Sequence, residues 1–141
     1  MSAGSDSLPA EATGGPESPE RPLGETRVAI SNAIVQIHSE QYGKGPTRAK
    51  TYVFEDLVVV VLRGGATRLD ETLMRAGEGE RVRGLRRAFQ DSVAGQFVDR
   101  VEAITGRQVE AFLSQSETDP DVSVEVFLLA PHSGRAAPVA A

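Results

Sequence analysis

The sequence predicts an α+β fold of two layers: a four-stranded antiparallel sheet made of two hairpins, with a long helix and a first amphipathic helix packed on one face. Three observations predict it. Residues 50–63 read as a hairpin whose second strand, Leu57 to Leu62, is an unbroken apolar run. Residues 80–105 carry apolar side chains at helical spacing over about seven turns. Residues 109–129 alternate apolar and other side chains on either side of a turn-rich stretch.

Taken in order, residues 1–24 hold four of the eight prolines, with Gly14, Gly15 and scattered Ser and Glu, and show no apolar periodicity, which predicts a disordered acidic leader. Residues 131–141 read as a frayed tail, leaving one folded domain over residues 25–130. The first helix is expected from Glu25 to Gln41, with Ile30, Ala33, Ile34 and Ile37 on one side. Gly43 and Pro46 stop it. After the hairpin, Gly64 and Gly65 free the backbone to turn, and Thr67 is placed to cap a short helix over Arg68 to Ala76.

The long helix shows the clearest pattern: Val82, Leu85, Phe89, Val93, Phe97, Val101 and Ile104, at steps of 3, 4, 4, 4, 4 and 3. Gly84 and Gly95 interrupt it at about 1 kcal/mol each relative to alanine. Val109, Ala111 and Leu113 then alternate with Glu110, Phe112 and Ser114. After Asp119, Pro120 and Asp121 the residues Val122, Val124, Val126 and Leu128 alternate with Ser123, Glu125, Phe127 and Leu129.

The second strand of the first hairpin sets a packing problem. Leu57, Val59 and Val61 point to one face, Val58, Val60 and Leu62 to the other, and exposing either trio costs roughly 1.5–3 kcal/mol per side chain. Helices on one face cover one trio. The expectation is that Val58, Val60, Leu62, Phe112, Phe127 and Leu129 form a second apolar face that meets another chain, as a homodimer or a partner complex.

Composition narrows the function. A formal charge of −5 argues against a general nucleic-acid binder. The charge is uneven: ten Lys and Arg against six Asp and Glu from Lys44 to Arg87, then two against eight from Ala88 to Ala130. The longest apolar run falls far short of the roughly 20 residues that span a bilayer, and the acidic leader does not read as a secretory signal. Without cysteine there is no disulfide, thiolate metal site or thiol nucleophile. These features predict a soluble, cytoplasmic protein.

No motif predicts catalysis. Tyr42-Gly43-Lys44-Gly45-Pro46-Thr47 lacks the spacing of a phosphate loop and follows a helix rather than a strand, so a helix-stopping turn accounts for it better. Its live alternative is a small-anion or nucleotide site using Lys44, Arg48, Arg63 and Arg68, if the loops after the first helix and second strand converge. Arg81, Arg83, Arg86 and Arg87 are assigned to the solvated side of the long helix. Asp119 and Asp121, with Glu117, read as a hairpin turn rather than a cation loop, and His38 and His132 sit with no second ligand at metal spacing. No cofactor or metal is implied, and the expectation is a protein that is not an enzyme.

Several stretches together resemble the MpsC family, the small bacterial domain named for a sodium-translocating, membrane-potential-generating system. They are Ile30-Ser31-Asn32, Tyr42 to Thr47, Asp56 to Gly65, Arg87-Ala88-Phe89-Gln90, Thr105-Gly106-Arg107 and Asp119 to Phe127. The likeness covers about residues 25–130. It implies an accessory component that associates with the subunits of a membrane system moving sodium and supporting inorganic-carbon uptake, peripheral to the membrane through a partner. It places no catalytic role on any residue of this chain.

Overall fold

The computed structural model describes residues 22–131. The expected tail, apart from Pro131, and all but the last three residues of the expected leader lie outside the described residues. Leu23 and Gly24, assigned to the leader, are the first residues of a helix. The elements run α1 (Leu23–Tyr42), β1 (Arg48–Phe54), β2 (Leu57–Arg63), α2 (Arg68–Arg75), α3 (Gly79–Thr105), β3 (Val109–Thr118) and β4 (Asp121–Leu129).

The four strands form one antiparallel sheet in the order β1-β2-β4-β3, so the apolar β2 and the final strand β4 take the centre. Helices α1 and α3 lie side by side on one face, α1 against β1 and α3 against β3. The expected α+β two-layer architecture is therefore the observed one. Strand β3 is longer than the alternation indicated: it continues through Ser116 and Thr118, and the turn contracts to Asp119 and Pro120, joined by a cis peptide.

The core lies between helices and sheet: Ile30, Ile34 and Ile37 of α1, Val93, Phe97 and Val101 of α3, Val58, Val60 and Leu62 of β2, Phe127 and Leu129 of β4. Phe112 joins them, its ring 4.9 Å from that of Phe127 and 6.1 Å from that of Phe97. This corrects the sequence reading. Val58, Val60, Leu62, Phe127 and Leu129 are 0–3% exposed beneath the chain's own helices, and Phe112 packs against them, so none of the six forms a free face. Alternation separates the two sets of side chains without saying which set the helices cover. The large Phe112 and Phe127 rings decide it, because each aromatic buries 150–250 Å² only where cover is complete.

A second correction concerns α3. Its buried positions are Val82, Arg86, Gln90, Val93, Phe97 and Val101, whereas Leu85 is 43% exposed. Arg86 leaves the solvated face assigned to it and turns inward.

Candidate functional site

Two features stand out: a cleft at one end of the sheet and the sheet face without helices. The cleft begins with the turn after β2. Gly64 (φ 80°) and Gly65 (φ 100°) hold left-handed backbone that other residues rarely adopt. A Cβ on Gly64 would collide with Thr47 Oγ1, and one on Gly65 would lie 3.4 Å from His38 Cε1. These glycines let the loop after β2 close against α1 and the loop that follows it. Thr47 N–H donates to the Arg63 carbonyl at 2.8 Å, and Lys44 Nζ donates to that of Ala66 at 3.1 Å.

Behind this turn sits a buried charged cluster. Thr67 caps α2 by accepting from Asp70 N–H, while the Asp70 carboxylate accepts from Thr67 N–H, each at 3.0 Å. Asp70 is fully buried, and it also accepts from the Tyr42 hydroxyl on both oxygens, at 2.9 and 2.8 Å. Arg86 Nη2 lies 3.8 Å from Asp70, and Nη1 lies 2.9 Å from Asp121, whose other oxygen accepts from Ala66 N–H at 3.0 Å. One guanidinium therefore joins α3, the start of α2 and the start of β4. Burial alone lowers the pKa of Arg86, but the Asp121 hydrogen bond and charge, with Tyr42 and Asp70, outweigh it and hold it above the usual value. Burial, then the bond to Asp70, pushes the Tyr42 hydroxyl up to about 12.

The cleft itself is lined by His38, Tyr42, Gly64, Gly65, Arg86, Phe89, Gln90, Ser123 and Glu125. His38 packs edge-on to Phe89 at 4.9 Å, and its Nδ1 lies 2.9 Å from the Lys44 carbonyl, an acceptor only, so Nδ1 carries the proton and Nε2 the lone pair. Burial is the largest influence on its pKa and lowers it, which keeps the ring neutral near pH 7. Glu125 is the buried acid of the site, 2% exposed and opposite Ser114 in the sheet. Burial raises its carboxyl to about 7 against the weaker opposing effect of Ser114, and its Oε1 has no hydrogen-bond partner among the described residues. The lining of the cleft therefore includes a carboxyl raised toward neutrality, a fixed guanidinium and a neutral imidazole.

The sheet face without helices is a grid of cross-strand rows. At one end Phe54, Leu57, Leu128 and Ala111 stand side by side; the next row is Tyr52, Val59, Val126 and Leu113. The third is Lys50, Val61, Val124 and Gln115, and the last Arg48, Arg63, Val122 and Glu117. Half of the grid is wholly apolar, apart from the Tyr52 hydroxyl. Among the described residues no helix covers it, and Phe54 is 70%, Leu113 62%, Tyr52 51% and Leu128 41% exposed.

The four cations considered for an anion site are placed as follows. Lys44 is bonded to the Ala66 carbonyl, Arg48 and Arg63 are cross-strand partners at the polar end of the open face, and Arg68 is the exposed first residue of α2. The loops after α1 and β2 do converge, but the residues lining the cleft there are His38, Tyr42, Arg86 and Glu125, none of them among those four cations. Their signal was polar residues at buried periodic positions: Arg86 four residues after Val82, Glu125 in phase with Phe127 and Leu129.

The stretches that carry the family likeness meet at these places. Tyr42 to Thr47, the Gly64-Gly65 turn, Phe89-Gln90 and Asp121 surround the cleft. At the opposite end of the sheet Arg107 pairs with Asp56 at 2.5 Å. In comparison with known proteins, the family model described as the Na+-translocating membrane potential-generating system (MpsC) matches residues 23–131. The uncharacterized protein YrhF of Bacillus subtilis (strain 168) is 27% identical over 101 residues, covering 70% of this chain and 83% of YrhF. No solved structure matches the chain. With the family model spanning all seven helices and strands of the described residues, the chain belongs to the MpsC family.

Proposed function

We propose that this chain is a non-enzymatic accessory or regulatory domain of a sodium-translocating, membrane-potential-generating system that supports inorganic-carbon uptake. In this reading it works in the cytoplasm by protein–protein interaction through the uncovered face of its sheet. One observation carries the reading: the two rows from Phe54 to Ala111 and from Tyr52 to Leu113 are apolar and lack a covering layer within the described residues. A contiguous apolar surface of that kind marks an interaction site, because leaving it in water forgoes about 25 cal/mol per Å² of burial. The family description supplies the physiological setting. No helix among the described residues is long and apolar enough to cross a membrane, so this reading leaves ion movement to other subunits.

The test is a photo-crosslinking amino acid placed at Leu113 in living cells. The expected result is a discrete adduct with a protein chain, and with it a change in sodium-dependent growth, membrane potential or bicarbonate dependence when the protein is deleted. Absence of any protein adduct contradicts docking through this face. Unchanged physiology on deletion contradicts the assignment to the membrane system.

A further inference from the structure

We infer that the occupant of the open face is a second copy of this chain, turned about a two-fold axis that runs parallel to the strands between β2 and β4. The inference rests on the docking reading above and names the partner. Its basis is the distribution of charge and size over the grid. The β1 edge carries Arg48 and Lys50, whereas the β3 edge carries Glu117 and Gln115 in the same rows. A two-fold axis along the strands keeps each row in place and exchanges the edges. Arg48 then faces the partner's Glu117, and Tyr52 faces the partner's Leu113. Large Phe54 faces the partner's small Ala111. At the centre β2 lies over the partner's β4, with Leu57 facing the partner's Leu128, Val59 the partner's Val126, Val61 the partner's Val124 and Arg63 the partner's Val122.

The other face-to-face two-fold runs across the strands and fails on the same grid. It reverses the rows and lays Arg48 over the partner's Phe54 and Arg63 over the partner's Leu57. That would bury both cations against apolar side chains without counter-charge, whereas the first arrangement pairs Arg48 with the partner's Glu117 and leaves only Arg63 over an apolar residue, the partner's Val122. Sheets twisted in the ordinary way pack face to face at about −30°, which leaves long side chains at the corners within reach of one another. At about 4.8 Å between strands and 3.4 Å per residue, the face spans roughly 19 by 24 Å. That is near the lower limit of specific interfaces, so the dimer is a dissociable one, with a dissociation constant on the order of micromolar.

The experiment is sedimentation velocity of the full chain from about 1 to 200 µM, with Arg48→Glu, Glu117→Arg and the double swap. Within one protomer these two residues lie three strand spacings apart, about 14 Å, too far to pair. Rescue therefore reports a contact between copies. The expected result is a concentration-dependent dimer, weakened roughly tenfold by either single swap, because each creates two like-charge contacts, and restored by both together. Single swaps without effect, or a double swap without rescue, overturn the axis. A chain monomeric throughout, its face covered by its own terminal segments or left free, overturns self-association. In that case the crosslink from Leu113 separates the two readings: an adduct with a different protein leaves docking in place, and no adduct removes both.

Discussion

Arg86 on α3 and Asp121, the first residue of β4, form an ion pair at 2.9 Å in which the arginine side chain is 9% exposed. The same guanidinium is 3.8 Å from the buried Asp70. Removing it strands two carboxylates at the junction of three elements. Arg86→Ala is expected to lower stability by about 3–5 kcal/mol in urea unfolding, the usual cost of breaking a buried pair from one side. A loss under about 1 kcal/mol would mean that the cluster is solvated.

Glu125 sets a pH dependence. Its folded carboxyl titrates near 7, against the usual 4.5 for an exposed one. Below about 4.5 the group is neutral whether the chain is folded or unfolded. Between there and 7 the unfolded chain ionises first, so its contribution to stability is lost as pH rises, levelling off above 7 at about 3 kcal/mol in all. Glu125→Gln is expected to match the wild type near pH 4 and exceed it at pH 8. Denaturant midpoints at pH 4, 6 and 8 check this, and parallel profiles for the two proteins would rule out a raised carboxyl.

Tyr42 is one of two tyrosines, the other being Tyr52 on the open face. In the Tyr52→Phe protein, ultraviolet titration is expected to give a midpoint of about 12, because burial and the bond to Asp70 favour the neutral phenol. The folded form loses this advantage as pH rises from the ordinary phenol range through that midpoint. Replacing Tyr42 with Phe removes a hydroxyl that donates to a carboxylate and is expected to cost about 1–2 kcal/mol. A titration midpoint near 10 would show that the hydroxyl is free of Asp70.

Glycines divide into two groups with opposite signs. Gly64→Ala meets both a φ of 80° and the Thr47 hydroxyl, and is expected to destabilise by about 1–3 kcal/mol. Gly84 and Gly95 lie within α3 with nothing among the described residues within 4 Å of where an added methyl group would sit, so alanine there is expected to stabilise by up to about 1 kcal/mol each. Thermal unfolding of the three variants checks the order; destabilisation by either helical alanine would mean that something packs closely on that side of α3.

Element identity was legible because the periods were long: seven apolar positions from Val82 to Ile104, a six-residue run from Leu57 to Leu62, and alternation from Val122 to Leu129. The inside of the sheet was not legible, because both of its faces are apolar. Leu113, Val124 and Val126 compete with Phe112, Phe127 and Leu129, and local alternation treats the two sets alike. The set that is covered also contains Thr51, Ser114 and Glu125, a choice that only tertiary packing makes. Arg86 escaped for a related reason. An arginine among three others reads as solvated, and its burial depends on Asp70 and Asp121, 16 residues before it and 35 after.

The claim that another chain covers the open sheet face is tested most directly by thiol alkylation, since the sequence has no cysteine of its own. Val59→Cys places the sole thiol at the centre of the open face and Val60→Cys places it in the core. In intact cells, maleimide labelling is expected to be slow at both positions, and dilution of the isolated protein to well below micromolar is expected to speed labelling at position 59 alone. Equal, rapid labelling at position 59 in cells and in dilute solution would contradict the account, because it would mean that water covers this face wherever the protein works.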